Sequence, residues 1–254
     1  MYIRHESLGA QVISIADFFY VSPIIPHELT SRRAGIPVIF PQFAERGPLQ
    51  KHGFARNKYW NLIEEIADST QSRIVYALEI NSGDYPEWPF SAKLQLAIVA
   101  SKNTIDITFV IQNIGQETFS WTGGLHPYFA VDDLLQVKVS GLKGCFVENR
   151  YDSAQTVMPH EFLTFDRNIF ESLIDSLGPI ELVTSKSRIK LESTGFNQWM
   201  IWNPGQDGAK SIDDLPCEDW AKFICIEPVI VGNPNQLKAR ESFKGTLKIE
   251  KLPL

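Results

Sequence analysis

The sequence predicts an all-β protein whose short strands form a sandwich or a barrel. Apolar and polar residues alternate at period two in many segments, and clusters of Gly, Pro, Asn and Asp separate these segments. The chain has 254 residues, 44% of them hydrophobic, which is enough material for one large core. We therefore expect a single domain over residues 1–254, with one or two short helices.

The alternation is clearest in two successive segments. In residues 93–99 every second side chain is leucine or isoleucine, and residues 104–112 repeat this apolar pattern. Further strands are predicted at 11–15, 73–80, 119–126, 135–139, 145–149, 180–184, 188–192, 198–202, 222–227 and 246–250. Residues 166–177 differ, because their apolar positions follow helical spacing; we expect a short amphipathic helix there, with Ile169, Phe170, Leu173, Ile174 and Leu177 on its apolar face.

Positive charge is concentrated in one stretch of a chain that is acidic overall. The formal net charge is −6, whereas Glu45 is the single acid in residues 31–60. The basic residues of this stretch are Arg32, Arg33, Arg46, Lys51, His52, Arg56 and Lys58. A nucleic-acid surface normally makes a whole domain basic, so this pattern favours a small anionic ligand and no nucleic acid. The alternative is a solvated charged face.

No segment marks the chain for a membrane or for secretion. Every apolar stretch is shorter than the ~18 uncharged residues of a membrane helix, and the first residues lack the layout of a signal peptide. The cysteines, Cys145, Cys217 and Cys225, form no Cys-x-x-Cys pair, so neither a zinc site nor a disulfide framework is predicted. We expect a soluble, cytoplasmic protein.

Two ionisable residues directly precede prolines and are candidate proton-transfer groups. His126 precedes Pro127, and Glu227 precedes Pro228. A residue before proline is restricted to extended backbone, so both should lie at strand ends, where a side chain can project into a cleft. Together with a basic phosphate site, an acid and a base of this kind indicate an enzyme that acts on a phosphorylated metabolite.

The neighbours of Glu227 suit a general base. Alternation in residues 222–227 places Phe223, Cys225 and Glu227 on one face. A partly desolvated carboxylate has a raised pKa and accepts a proton more readily near neutral pH. The alternatives are a buried ion-pair partner and a solvated strand end.

His126 follows two glycines on its predicted strand. Gly123 and Gly124 carry no side chains beside the imidazole, which leaves room for a ligand to approach the backbone. The alternative for His126 is a core histidine bonded to a carbonyl group.

Six motifs, in order along the chain, resemble those of the D-hexose-6-phosphate mutarotases, also called glucose-6-phosphate 1-epimerases and related to aldose 1-epimerase. The motifs are Arg-Ala-Gly-Ile-Pro-Val-Ile-Phe-Pro-Gln-Phe (33–43), Arg-Gly-Pro-Leu (46–49), Lys-His-Gly-Phe-Ala-Arg-Asn (51–57), Leu-His-Pro-Tyr-Phe (125–129), Trp-Asn-Pro (202–204) and Cys-Ile-Glu-Pro (225–228). The resemblance implies a galactose mutarotase-like fold, an antiparallel β-supersandwich with a cleft across one sheet. It also implies an isomerase that interconverts the α and β anomers of hexose 6-phosphates.

The resemblance further implies the roles of individual residues. His126 matches the general acid of the family and Glu227 the general base. Arg33 and Arg56 match substrate-binding arginines. Lys51 stands where a substrate-contacting glutamine is usual, and it is followed by His52, which is expected at the same site.

One substrate-binding aspartate of the family has more than one counterpart here. Asp166 is the aligned residue, although one extra residue separates it from the aromatic segment that follows. Asp166 would equally serve as the N-cap of the helix predicted over 166–177. Asp213 and Asp214 are rival candidates.

Departures from the family motifs bear on substrate preference. Ala34 replaces a glycine, Gly205 stands where tryptophan often occurs, and Pro127 is typical of mutarotases that act on free sugars. The alternatives are therefore a free-aldose 1-epimerase and a non-catalytic sugar-phosphate-binding protein. A glycoside hydrolase is disfavoured because that chemistry usually needs two facing carboxylates. We expect no cofactor, no metal and no membrane partner, and a monomer or at most a weak dimer.

Overall fold

The predicted fold class is confirmed, because antiparallel strands form nearly all of the regular structure. The computed structural model describes residues 2–26, 30–149, 152–176 and 178–253. The strands are β1 (Ile3–Glu6), β2 (Gln11–Ile15), β3 (Val38–Ile39), β4 (Asn61–Ala67), β5 (Gln71–Ile80), β6 (Ala92–Ser101), β7 (Thr104–Asn113), β8 (Phe119–Leu125), β9 (Tyr128–Ala130), β10 (Lys138–Ser140), β11 (Phe146–Asn149), β12 (Asp152–Val157), β13 (Phe162–Thr164), β14 (Phe170–Asp175), β15 (Ile180–Val183), β16 (Arg188–Thr194), β17 (Gln198–Asn203), β18 (Phe223–Leu237) and β19 (Ser242–Leu252). The described helices are α1 (Gly205–Ala209) and the 3-10 turns Ala55–Asn57, Leu134–Gln136 and Cys217–Lys222.

The strands form two large sheets and a small one. A nine-stranded sheet has the order β13-β10-β15-β16-β19-β7-β6-β5-β4. An eight-stranded sheet has the order β12-β11-β14-β17-β18-β8-β3, and β9 pairs with β18 beside β8. Strands β1 and β2 form a separate ribbon. No described helix is long and apolar enough to cross a lipid bilayer.

The alternation predicted for the two clearest segments is confirmed. They are β6 and β7, which pair along their whole length in the nine-stranded sheet. Their alternate apolar side chains are buried in the main core; they are Leu94, Leu96, Ile98, Ile105, Ile107, Phe109 and Ile111. Burying such apolar side chains contributes about 1.5–3 kcal/mol each, so this face supplies much of the driving force for folding.

The eight-stranded sheet is covered on both faces along its central strands. Ile174 of β14 and Trp199 of β17 pack in the main core. Their neighbours Leu173 and Met200 point to the other face, where they are buried with Phe43 in a second, smaller apolar cluster. This second face also carries the candidate site.

The helix predicted over residues 166–177 is wrong. Within the described part of that segment the chain forms the extended strand β14, and Leu177 lies outside the described residues. Leu173 and Ile174 are both buried because the strand is covered on both faces. A central strand of this kind lacks the polar residues that alternate in a half-buried strand, so its apolar positions imitate helical spacing.

Two predicted strands have different bounds in the structure. Residues 135–139 divide between the 3-10 turn at Leu134–Gln136, where the Asp133 carboxylate accepts a hydrogen bond from Leu135 N, and the strand β10. The strand predicted at 222–227 continues through Pro228 as β18. Its pairing with β8 shifts register between Ile230 and Asn235, so the turn predicted near residue 233 is an irregularity within a strand.

Candidate active site

His126 and Glu227 occupy facing positions in the eight-stranded sheet. On either side of them, Gly124 of β8 pairs with Val229 of β18 and Tyr128 of β9 pairs with Cys225 of β18, and both pairs follow the same antiparallel register. His126 and Glu227 therefore lie opposite each other, each followed by a proline that cannot donate to the ladder. His126 Nε2 is 3.5 Å from Glu227 Oε1. The backbone pairing thus brings together two residues that are 101 positions apart in the sequence.

The glycines before His126 serve a different purpose from the predicted one. A Cβ at Gly123 would lie 2.1 Å from the carbonyl oxygen of Ile39, and a Cβ at Gly124 would lie 2.2 Å from that of Pro228. Both glycines also have positive φ, +150° and +158°. The space beside their backbone is filled by strands β3 and β18, so the prediction that it admits a ligand is wrong. The glycines instead allow the strand that ends at His126 to approach β18 closely.

The facing pair lines a pocket of about 230 Å³. The other residues that line it are Ser31, Arg32, Arg33, Pro37, Phe43, Ala44, Lys51, His52, Arg56, Tyr128, Glu171, Met200, Trp202, Ile212 and Asp214. Of the predicted site residues, Arg33, Lys51, His52, Arg56, His126 and Glu227 all meet here. The pocket combines an apolar and aromatic lining with cations and carboxylates, a composition suited to a small polar anion.

Burial shifts both members of the pair towards their neutral forms. Burial lowers the pKa of His126 well below its usual range, and the charges of Arg56 and Arg33 lower it further. Burial raises the pKa of Glu227 well above its usual range; the charge of Glu171 adds to this effect, whereas Arg56 opposes it. His126 Nδ1 and Glu227 Oε2 have no hydrogen-bond partner within the described chain. Perturbed pKa values and unpaired buried polar atoms in one pocket are typical of a functional site.

Arg33 is held in place from three directions. Its Nε donates to Asp214 Oδ1 at 3.0 Å, and its Nη1 donates to the Tyr128 hydroxyl at 3.0 Å. Its guanidinium carbon is 5.9 Å from the ring centres of both Tyr128 and Trp202, a cation–π distance. Burial acts to lower the pKa of Arg33, but Tyr128 and Asp214 outweigh it, so this pKa is raised. Arg33 is therefore charged and fixed in orientation.

The segment between residues 44 and 56 supplies Lys51 and Arg56, two further cations of the pocket, together with His52. Two hydrogen bonds join His52 to Ala44. The Ala44 N–H donates to His52 Nδ1 at 3.3 Å, and the His52 backbone N–H donates to the Ala44 carbonyl at 3.0 Å. Arg56 Nη2 donates to the Lys51 carbonyl at 3.1 Å, and its buried Nε has no partner within the described chain. Lys51 Nζ lies 3.1 Å from Glu45 at an exposed position. Arg56 therefore has a buried N–H group, at Nε, that is available to donate a hydrogen bond to a ligand.

The candidate aspartates are clearly separated by the structure. Asp166 is exposed and does not line the pocket; its carboxylate accepts bonds from Asn168 N at 2.8 Å and from Asn168 Nδ2 at 2.7 Å. This is an Asx turn that leads into β14, in place of the helix cap that was predicted. Asp213 is exposed, whereas Asp214 lines the pocket and pairs with Arg33. The geometry thus favours Asp214 over Asp166 and Asp213.

The Trp-Asn-Pro motif has a structural explanation. Asn203 is fully buried, and its Nδ2 donates to the carbonyls of Trp220 and Phe223, so it ties the end of β17 to the start of β18. Gly205, where the family often has tryptophan, adopts φ +68°, and a Cβ there would lie 2.4 Å from the carbonyl carbon of Asn168. This position needs glycine because the backbone before β14 passes against it.

One group of potential metal ligands occurs among the described residues, at the same place. Ligand atoms of His126, Cys225 and Glu227 all lie within 4.8 Å of one another. Arg33 and Arg56 are close enough to act on these groups electrostatically, and their positive charge opposes a cation. The donor set therefore fits proton transfer better than metal binding, and the absence of a metal stays a prediction.

Comparison with known proteins identifies the family. The family model for aldose 1-epimerase matches residues 30–250. The chain belongs to the aldose 1-epimerase family. As a member of this family the protein is an isomerase that acts on sugar anomers.

Curated relatives carry a common provisional name, glucose-6-phosphate 1-epimerase. The relative from Cenchrus ciliaris is 25% identical over 232 residues, which cover 87% of this chain and 70% of the relative. The relative from Salmonella typhimurium is 28% identical over 209 residues, which cover 80% of this chain and 69% of the relative. The relative from Escherichia coli is 29% identical over 202 residues, which cover 77% of this chain and 66% of the relative.

Solved structures show the same fold as this epimerase. A crystal structure from Salmonella typhimurium, provisionally described as a mutarotase, superimposes with a TM-score of 0.88 at 23% identity, covering 98% of this chain and 86% of that one. A galactose 1-epimerase from Lactobacillus acidophilus superimposes with a TM-score of 0.75 at 12% identity, covering 97% of this chain and 89% of that one. The galactose mutarotase-like supersandwich expected from the motifs is thereby confirmed.

Proposed function

We propose that this epimerase interconverts the α and β anomers of hexose 6-phosphates, with glucose 6-phosphate as its main substrate. The observation that carries the proposal is a single pocket lined both by a facing acid–base pair, His126 and Glu227, and by the guanidinium groups of Arg33 and Arg56. The provisional names of the curated relatives support the same substrate.

Anomer exchange needs two coupled proton transfers. His126 delivers a proton to the ring oxygen while Glu227 removes the proton of the C1 hydroxyl, and the bond between C1 and the ring oxygen breaks to give the open-chain aldehyde. Rotation about the C1–C2 bond presents the other face of the carbonyl. Ring closure then returns both protons, so the pair ends in its starting state. Acid–base catalysis of this kind contributes about 10²- to 10⁴-fold to a rate.

Phosphate binding also prepares the pair for this reaction. In the pocket without substrate, the lowered pKa of His126 and the raised pKa of Glu227, both caused mainly by burial, favour a neutral imidazole and a protonated carboxyl group. Arg33 and Arg56 both contribute to the low pKa of His126. A phosphate dianion bound to these guanidinium groups offsets their charge and raises the pKa of His126. The proton then moves to the imidazole, which is the acid that ring opening requires.

The electrostatics of the arginines support an anionic ligand. Burial lowers the pKa of Arg56, and the nearby charge of Arg33 lowers it further, whereas Tyr128 raises it. Two guanidinium groups that repel each other in a partly desolvated pocket are stabilised by an anion between them, and guanidinium donors match phosphate geometry. The unpaired Nε of Arg56 gives such an anion a donor.

A free-aldose 1-epimerase is the second candidate function. The observation in its favour is that Asp214 already neutralises Arg33, which leaves less net positive charge for a phosphate. The prolines after His126 and Glu227 fit either substrate, because they act on the backbone. The two functions differ in whether the phosphate contributes to binding.

The decisive experiment measures anomer exchange by magnetisation-transfer NMR on glucose 6-phosphate and on glucose. We expect strong acceleration for glucose 6-phosphate, and Arg56→Ala should lower its kcat/KM about 10- to 100-fold while leaving the rate with glucose unchanged. Lys58→Ala is the matched control, because Lys58 belongs to the same basic stretch but lies over the Tyr85 ring and does not line the pocket.

Two outcomes would contradict the proposed function. Equal acceleration of both sugars, with Arg56→Ala affecting them alike, would select the free-aldose epimerase. Binding of glucose 6-phosphate without any acceleration of anomer exchange would select a non-catalytic sugar-phosphate-binding protein.

A further inference from the structure

Tyr128 contacts two functional groups of the pocket, although the proton transfers described above do not use it. Its ring stacks on the His126 imidazole, with the ring centres 4.7 Å apart and the ring planes inclined by 5°. Its hydroxyl oxygen accepts a hydrogen bond that Arg33 Nη1 donates at 3.0 Å. One buried side chain of β9 therefore joins the candidate acid to a candidate phosphate-binding arginine.

The sheet and an aromatic neighbour fix the Tyr128 side chain. Tyr128 pairs with Cys225 of β18 and follows His126 by two residues, so the phenol and the imidazole project from the same side of the extended chain. The Phe223 ring packs against the phenol at a centre-to-centre distance of 5.4 Å. The phenol is 4% exposed and lines the pocket. A side chain packed in this way has little rotational freedom and holds the groups that it contacts.

The imidazole of His126 depends on packing for its orientation. A hydrogen bond at the second ring nitrogen usually fixes a functional histidine, but His126 Nδ1 has no partner within the described chain. Its Nε2 is 3.5 Å from Glu227 Oε1, which is long for a hydrogen bond. The rings of His52 and Trp202 meet the imidazole edge-on, with centres 5.6 and 6.1 Å away. Among the described residues, Tyr128 has the one ring that lies parallel to the imidazole and covers its face.

The Tyr128 hydroxyl group has a hydrogen to donate to a ligand. Its oxygen accepts from Arg33, so its own hydrogen points elsewhere, and the described residues include no acceptor for it. Burial raises the pKa of Tyr128, so the hydroxyl keeps this hydrogen at neutral pH. Because the hydroxyl and the guanidinium group are 3.0 Å apart, an anion bound beside Arg33 lies within reach of both donors.

We propose that Tyr128 is a positioning residue: its ring holds the His126 imidazole in the orientation that proton delivery requires, and its hydroxyl donates to the substrate phosphate beside Arg33. The phosphate in this statement rests on the proposed function. A rigid phenol in contact with both groups keeps the acid at a fixed distance from the phosphate-binding end of the pocket, and such positioning contributes to the rate.

Tyr128→Phe tests the hydroxyl group and keeps the stacked ring. Magnetisation-transfer NMR gives kcat and KM for glucose 6-phosphate and for glucose. With glucose 6-phosphate, KM should rise about 10- to 100-fold and kcat should change little, because a hydrogen bond to a charged group is lost equally from the bound substrate and from the transition state. Both constants for glucose should stay the same, since glucose has no phosphate. An unchanged KM for glucose 6-phosphate, or an equal change with both sugars, would show that the hydroxyl does not bind the phosphate.

Tyr128→Leu removes the ring as well and tests the stack. We expect kcat to fall about 10- to 100-fold below that of Tyr128→Phe with either sugar, because a small misplacement of a reacting group has an effect of this size. Tyr128→Phe thus restores kcat with an aromatic ring that has no hydroxyl. Equal kcat values for the two variants would show that the ring does not position His126.

Tyr20→Phe and Tyr20→Leu are the matched controls. Tyr20 is also a buried tyrosine that stacks on Phe223, with ring centres 5.0 Å apart, and its hydroxyl donates to Asp219 at 2.6 Å, but it does not line the pocket. These variants should lower the free energy of unfolding and leave KM and kcat of the folded protein at wild-type values. If Tyr20→Leu loses as much kcat as Tyr128→Leu, a general loosening of the core explains both losses and the proposal is wrong.

The wild-type protein tests the proposed function separately. Acceleration of glucose 6-phosphate exchange by the wild type supports the proposed function whatever the Tyr128 variants do. If the wild type accelerates exchange of free glucose alone, the phosphate substrate and the hydroxyl contact are both wrong. The values of kcat for glucose in Tyr128→Phe and Tyr128→Leu then decide the role of the ring.

Discussion

Side chains that are neighbours in sequence along β17 and β18 lie on opposite faces of the eight-stranded sheet and meet different environments. On the inner face, Trp199, Ile201 and Ile226 are buried in the main hydrophobic core. On the cleft face, Met200 and Glu227 pair directly with each other and border the pocket. The period-two geometry of a strand lets one short segment contribute to stability with one set of residues and to chemistry with the other.

The pocket on the cleft face collects several buried polar atoms that lack partners. Arg56 Nε, His126 Nδ1 and Glu227 Oε2 are unpaired there within the described chain, whereas Trp88 Nε1 is the one such atom among the described residues of the main core. An unpaired buried polar group destabilises a protein by about 1–3 kcal/mol. The cleft face can hold such groups because the inner face stabilises the same strands. Substitutions on the two faces should therefore act on different properties.

Gly124→Ala should have the largest effect, because it disturbs both faces together. The added Cβ would lie 2.2 Å from the Pro228 carbonyl oxygen, at a φ of +158°. We expect β8 and β18 to separate, with a loss of about 3–5 kcal/mol in the free energy of unfolding and loss of anomer exchange. Chemical denaturation and NMR exchange measure the two effects. Gly83→Ala is the control, since a Cβ there meets nothing within 4 Å.

Glu227→Gln, a substitution on the cleft face, should lower activity without lowering stability. The amide keeps the shape of the side chain but cannot act as a base, so we expect anomer exchange to fall by about 10²- to 10⁴-fold. The free energy of unfolding should stay the same or rise, because a buried carboxyl group is removed. His126→Asn should show the same contrast. Near-normal exchange in either variant would remove that residue from its proposed role.

Ile226→Ala should have the opposite effect to Glu227→Gln at the adjacent position. Ile226 is fully buried in the main core, so truncation should lower the free energy of unfolding by about 2–5 kcal/mol. The rate of exchange per folded molecule should change little, since the side chain points away from the pocket. A large loss of kcat/KM at a temperature where the variant is folded would show that the two faces are not independent.

The smallest predicted effect is a pH dependence of stability. Glu227 has a folded pKa raised above its ordinary 4.5, so it binds a proton more tightly when folded, and its contribution to stability decreases as the pH rises above about 4.5. His126 has a folded pKa lowered below its ordinary 6.5, so its contribution decreases as the pH falls below about 6.5.

Denaturation at a series of pH values measures this dependence. Relative to the wild type, Glu227→Gln should gain stability as the pH rises, and His126→Asn should gain stability as the pH falls. Differences that do not vary with pH would show that these two groups titrate alike in the folded and unfolded states.

The sequence predicts best what depends on local periodicity. The strands β6 and β7 are half-buried, so their polar outer residues make the alternation visible in the sequence. Strand β14 is covered on both faces and lacks that alternation, which explains the wrong helix at 166–177. The same error explains why the sequence did not indicate Glu171 as a pocket residue, because a helix over this segment would not place it opposite Trp202.

Site residues follow the same distinction between local and long-range signals. His126 and Glu227 could be singled out because each precedes a proline, a signal that lies in adjacent residues. Asp214 has no such signal, since its relevance comes from pairing with Arg33 across 181 positions. Asp166 aligns with a family motif, yet its carboxylate bonds locally to Asn168. Long-range strand pairing and loop packing, which decide these cases, leave no local pattern in one sequence.

The residues proposed to transfer protons and the residues proposed to recognise the substrate have different kinds of structural support. His126 and Glu227 are spaced by the hydrogen-bonded ladder between neighbouring strands, whereas Arg33, Lys51, Arg56 and Asp214 stand on connecting segments outside the strands. Exchange of a connecting segment can therefore alter which sugar is accepted without moving the reacting groups apart. Such an architecture lets selection, or an engineer, change the preferred sugar while the chemistry is conserved.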